Sequence, residues 1–224
     1  LEFIKFLRDK GIEPIAYVET EEDALFAKNL GIKFFIGYPL DEENISCSPQ
    51  LVYFKAPEIN YSDYELPEVI KSSLKISFSY PNIMFNDNLK EQARKVYRKI
   101  FSRVKENKKA KLIVASSAGN PVLFPGYSLI DEMITLTKAG ISPLKVLQGA
   151  TIYASQFCHL PDRGVIKEGK RADLLVLNSN PLEDIGVIKA PYLVIKQGKI
   201  INLPVLKWKM IYGKFPLSPA DFPP

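Results

Sequence analysis

One short pattern, met twice, constrains this chain more than any other feature. A helical stretch ends on Gly-Ile and a strand follows, first at Gly11-Ile12 and again at Gly31-Ile32. Phe3, Ile4 and Leu7 share one face of a helix over Glu2 to Lys10, Gly11 is its C-terminal cap, and Ile12 to Val18 reads as a strand. Thr20 then caps a second helix, with Asp23 three residues on. Ala24, Leu25, Ala27 and Lys28 keep helical spacing, Gly31 ends the helix, and Ile32 to Ile36 is an apolar strand. Such alternation predicts βα units and a parallel sheet.

Leu51 to Ala56 is a third strand candidate, and Pro57 to Asn88 loses periodicity, which reads as an insertion or mobile loop rather than a lid. Leu89 to Asn107 is an amphipathic helix with an apolar stripe through Ala93, Val96, Ile100 and Val104. Lys90, Arg94, Lys95, Arg98, Lys99 and Arg103 cover its other face, and Lys108, Lys109 and Lys111 extend the charge. No recognised nucleic-acid motif accompanies them, so a solvated outer helix face is expected. Leu112 to Ala115 is a strand. Ser128 is placed to cap the next helix, with Asp131 complementing its dipole. Ser142-Pro143 starts another helix, whose stripe runs through Leu144, Leu147, Thr151, Ala154 and Cys158.

After His159 the texture turns to β. Ala172 to Leu177 reads as a buried strand, and Tyr192 to Lys196 and Lys199 to Ile201 flank a hairpin loop, Gln197-Gly198. Beyond Asn202 a tail rich in Pro and aromatics reads as extended.

Composition excludes little. No apolar run approaches the roughly 18 residues of a membrane span. Cys47 and Cys158 lack disulfide-framework or metal spacing and read as buried thiols. A net charge of +5 permits an acidic partner without demanding one. No signal peptide is visible, which favours the cytoplasm, but the sequence opens on Leu1 and a leader or upstream segment is compatible with it.

Four segments in order carry a family likeness: Ala118-Gly119-Asn120-Pro121, Ala139 to Thr151, Gly164 to Leu177, and Asn180 to Ile185. Together they resemble the C-terminal part of the amidohydrolase superfamily, in particular its imidazolonepropionase-like and prolidase-like members. The resemblance implies an α/β fold: the later strands of a (β/α)8 TIM-type barrel over residues 1–160, part of a small β-sandwich composite domain over 161–204, and the tail over 205–224. It implies one or two divalent metals, zinc or another, that lower the pKa of a bound water for attack on a C–N bond. Ligands would come from an HxH pair on the first strand, a carboxylated lysine or equivalent, histidines on the fifth and sixth strands, and an aspartate after the eighth.

This sequence departs from that set. The fifth-strand position is Tyr17, the sixth falls at Gly37 or Tyr38, and the aspartate position before Ala118-Gly119 is Ser117. His159 is the single histidine and reads as structural. The expected site is therefore Ser117 at the aspartate position, with Tyr17, Glu19 and Tyr38 at the barrel mouth, no metal ligands, and no cofactor predicted for this chain. A nucleophile at Ser116 or Ser117 would need a base, and His159, the only imidazole, lies past two helices. Two functions remain in competition. One is a non-catalytic relative acting as scaffold or binding unit; the other is a hydrolase of amide or lactam bonds whose metal site comes from a missing N-terminal half or partner chain. Expected partners are a homo-oligomer or complementary half and a small-molecule ligand, not nucleic acid.

Overall fold

The computed structural model describes residues 2–51, 87–118 and 123–202. Four strands form one parallel sheet in chain order: β1 (Ile15–Val18), β2 (Phe34–Gly37), β3 (Ser46–Ser48) and β4 (Lys111–Leu112). The Gly-Ile repeats do what their chemistry suggests. Helix α1 (Glu2–Asp9) ends before Gly11 (φ 72°) and α2 (Glu21–Asn29) before Gly31 (φ 77°), the left-handed turns that glycine takes without penalty. Thr20 Oγ1 accepts the Asp23 N–H at 3.1 Å, so the cap read from the sequence is formed.

Strand β3 was not expected, and the strand read over Leu51–Ala56 lies, beyond Leu51, outside the described residues. So does most of the irregular Pro57–Asn88 segment, although the long helix α3 (Asp87–Glu106) takes in its last two residues. The expected tail after Asn202 also lies outside them.

Pairing sorts the side chains into two faces. Ala16, Phe35, Cys47 and Leu112 alternate onto the helix-covered face. There Phe35 and Cys47, both fully buried, belong to one core with Ala24 and Ala27 of α2 and Ile100 and Val104 of α3. Burying Phe35 alone contributes about 2–3 kcal/mol. Ile15, Tyr17, Phe34, Ile36, Ser46 and Ser48 point the other way. Arg94, Lys95, Arg98 and Lys99 of α3 are exposed, and Arg103 is partly buried.

Helix α4 (Tyr127–Lys138) opens on Gly126, not Ser128. The Ser128 hydroxyl donates instead to Phe124 O at 2.8 Å. The next helix starts as read: Ser142 caps α5 (Pro143–Ala150) by accepting from Lys145 N. Gly149 lets α5 lie on β4, because a Cβ there would stand 2.9 Å from Leu112 O. The stripe through Cys158 is divided at Thr151 (φ −123°), and a separate helix α6 (Ile152–Phe157) follows. Its Phe157 stacks on Phe34 with ring centroids 4.2 Å apart. Cys158 is exposed, correcting the expectation of two buried thiols.

The C-terminal part forms a second, antiparallel sheet of β5 (Leu174–Val176), β6 (Leu193–Lys196) and β7 (Lys199–Ile201). Gln197-Gly198 is its hairpin loop, both residues at positive φ. Strand β5 is not buried; Leu175 is 56% exposed. A 3-10 turn, Ile185–Lys189, returns to the core through Ile185 and Ile188, and Lys189 reaches Asp131 of α4 at 3.7 Å.

Candidate functional site

In parallel α/β sheets, ligands gather beyond the carboxyl ends of the strands. Here that end is marked by Val18, Gly37, Ser48 and the residues after Leu112. Tyr17 stands one residue from it on the face opposite α2 and α3, half exposed and level with Ile36. Glu19 follows β1 and is exposed.

Tyr38 is not brought to that face. Simple alternation would set it beside Ile36, but Gly37 at φ 101° turns the chain between them. The Tyr38 ring is buried beneath α3, with Lys99 Nζ 5.6 Å and Arg103 Cζ 5.7 Å from its centroid. Its hydroxyl donates to Glu21 Oε2 at 3.3 Å. Burial raises the phenol above its ordinary pKa, Arg103 opposes this and Glu21 adds to it. Tyr38 therefore ties α2 and α3 to the sheet.

Ser117 lies where β4 has run out, at φ 53°, and its hydroxyl donates to Gln50 Oε1. Gln50 is itself left-handed, φ 49°, and buried. Beside them the Ser116 and Ser128 hydroxyls meet at 2.9 Å. Glu132 of α4, fully buried, accepts the Leu51 N–H at 3.0 Å. Two residues before Gln50, the buried Ser48 hydroxyl has no hydrogen-bond partner among the described residues. Gln50 and Glu132 were not singled out from the sequence, and Ser128 was read there only as a helix cap. The signal was there for Glu132, a carboxylate inside the apolar stripe of Ile130, Met133 and Leu136.

The residues that the sequence resemblance would set at ligand positions do not fit a divalent metal. Tyr17 offers a phenol and Ser117 a hydroxyl already engaged by an amide oxygen. Gly37 offers nothing, and a Cβ there would lie 2.2 Å from Val18 O, so a histidine cannot be seated without moving the backbone. His159 lies two residues beyond α6, the helix whose Phe157 meets Phe34 at the start of β2, whereas Ser117 follows the end of β4. Among the described residues no group of three or more His, Cys, Asp or Glu is placed to hold a metal ion.

The sequence matches the family model described as Amidohydrolase family over residues 64–201. An adenine deaminase of Cereibacter sphaeroides is 34% identical over 88 residues, 39% of this chain and 16% of that protein. The ochratoxinase of Aspergillus niger is 26% identical over 159 residues, 65% of this chain and 33% of that protein. Among solved structures, a Xaa-Pro dipeptidase with bound methionine in its active site superposes with a TM-score of 0.65 at 20% identity, covering 88% of this chain and 46% of that one. The chain thus spans only part of the length of the relatives it matches. The structural likeness, together with the parallel sheet, gives a TIM-barrel-like α/β fold. With the family model covering more than half of its residues, this chain belongs to the amidohydrolase family.

Proposed function

We propose that this chain does not itself carry the metal chemistry of its family and acts as a scaffold or binding unit, built as the later strands of a barrel (1–160), a β-sandwich segment (161–204) and a tail (205–224). The observation that supports this most is Ser117. It occupies the position of the family's aspartate and spends its hydroxyl on Gln50. A hydroxyl so engaged is a poor base and a poor ligand. The pair, with Ser116, Ser128 and Glu132, makes a hydrogen-bonded end to the sheet suited to holding shape rather than activating water. The test is metal content and activity together. Purified protein is expected to carry no stoichiometric zinc by mass spectrometry and to leave adenine and Xaa-Pro dipeptides unchanged with zinc added. One tightly held zinc per chain would overturn the proposal.

A second reading has its own support. The chain spans 46% of the dipeptidase it resembles, and among the described residues β1 lies at the edge of its sheet, bearing the half-exposed Ile15 and Tyr17. A complementary polypeptide could pair with that edge and bring its own ligands. Hydrolysis that appears only on adding such a partner would favour this reading.

A further inference from the structure

The lysines that follow α3 surround a cavity. It has a volume of about 120 Å³ and lies between the end of α3, β4 and α5. Lys108, Lys109, Lys111 and Lys145 line it, with Gln148 and Tyr153. It shares no residue with the group around Ser117.

Three features bear on what this cavity could hold. First, none of the four lysines, all exposed, has a carboxylate within ion-pair distance among the described residues, as is true of most lysines here. Secondly, the nearby carboxylate of Asp41 is engaged chiefly by the backbone of this turn, with a weaker attraction to the Lys109 ammonium. Asp41 Oδ1 accepts the backbone N–H groups of Lys108 and Lys109 at 2.7 and 2.6 Å. Burial would raise its pKa, but these bonds outweigh that and hold it below the usual carboxylate range. Asp41 therefore fixes the lysine-bearing turn by its backbone. Thirdly, Lys111 Nζ stands 5.9 Å from the Tyr153 ring centroid, which tethers one ammonium at the wall.

We infer that this cavity is a binding site for a small multivalent oxyanion of the phosphate class. Four like charges around one concavity repel one another and focus potential into it, and a multiply charged anion relieves both costs. Lysine suits a tetrahedral oxyanion, since each ammonium is a point charge with three rotatable donors; a planar carboxylate favours the arginine fork. Gln148 and Tyr153 add neutral donors. Size narrows the class, because pockets for drug-sized ligands hold about 300–1,000 Å³. The cavity admits a phosphate group and leaves a nucleoside outside.

The test is calorimetric titration of the full chain at low chloride with inorganic phosphate, and separately with glycerol phosphate. Saturable binding at one site per chain is expected. Lys109→Gln with Lys145→Gln should weaken it by at least about tenfold, since each removes a charge-assisted bond. Lys95→Gln with Arg98→Gln on the exposed face of α3 removes the same charge and should leave it unchanged. Urea melts verify that both double variants fold. Binding of inorganic phosphate alone identifies a free-anion site, and binding of both probes a phosphomonoester site. The inference is overturned if no saturable binding occurs, if both double variants lose it equally, or if a single-stranded oligonucleotide binds and phosphate does not compete with it.

Discussion

The carboxylate of Glu132, wholly buried on α4, accepts the backbone N–H of Leu51, a residue 81 positions earlier. This bond joins the chain leaving β3 to the helix that follows β4, across the end of the sheet where Ser117 and Gln50 meet. Glu132→Ala strands the Leu51 N–H and opens a cavity, so a loss of about 2–4 kcal/mol is expected. Glu132→Gln keeps an acceptor and should cost clearly less. Urea unfolding of the two variants measures the difference, and equal costs would show that a neutral acceptor of the same bulk recovers nothing.

Gly37 is required by contact as well as by conformation. Its φ is 101°, and a Cβ would lie 2.2 Å from Val18 O. Gly37→Ala should therefore cost roughly 2 kcal/mol or more and release Tyr38 from Lys99 and Arg103. Gly11, at φ 72° with nothing within 4 Å of an added Cβ, is the control. Gly11→Ala carries the conformational cost alone, about 1 kcal/mol. Thermal melts and Tyr38 fluorescence distinguish the two.

What the sequence made legible was whatever rests on local rules. Gly11 and Gly31, the Thr20 and Ser142 caps, and the Gln197-Gly198 loop each follow from one residue's backbone or hydrogen-bonding preference. What it hid depends on partners far along the chain. Ser46–Ser48 offers no apolar alternation, so β3 is visible only through its neighbours, Phe34 to Ile36 on one side and Lys111-Leu112 on the other. Ser128 has the chemistry of a cap but is drawn to Ser116 and Phe124 O. Tyr38 was read at the barrel mouth from the resemblance alone, and the structure sets its ring beneath α3, beyond the turn at Gly37. At the site, Tyr17, Gly37 and Ser117 were named one by one from the family resemblance. The polar group that surrounds Ser117 was not, because Gln50 and Glu132 arrive from distant segments.

The two cysteines should separate by reactivity. Cys47 is buried and its Sγ accepts from Asn107 Nδ2 at 3.1 Å. Burial pushes its thiol up to about 12, Asn107 opposing and Asp41 adding to the rise. A thiol reagent should label exposed Cys158 quickly and Cys47 only on unfolding. The same shift sets a pH dependence. In the unfolded chain a cysteine ionises near about 8.5. The folded state thus holds more protons between that value and about 12, and stability from Cys47 is full below the window and falls as pH rises through it. The limiting slope is about 1.4 kcal/mol per pH unit. Urea melts at pH 8, 9 and 10 should show a steeper decline for the native protein than for Cys47→Ala; parallel declines would mean that Cys47 ionises normally.

Ser117→Asp puts back the carboxylate that the family carries and asks whether it is enough. An aspartate tolerates the left-handed backbone at this position better than most residues, so the fold should survive. Gln50 can turn its amide and donate where it now accepts, so the new charge need not face a carbonyl oxygen. Metal binding is a different matter. Tyr17 remains a neutral phenol and Gly37 has no side chain, and neither replaces an imidazole. The variant is expected to melt within about 1 kcal/mol of the native protein and to retain no stoichiometric zinc after dialysis, as measured by mass spectrometry. Zinc uptake by Ser117→Asp alone would show that the remaining ligands are already in place, and that one substitution separates this chain from its family's chemistry.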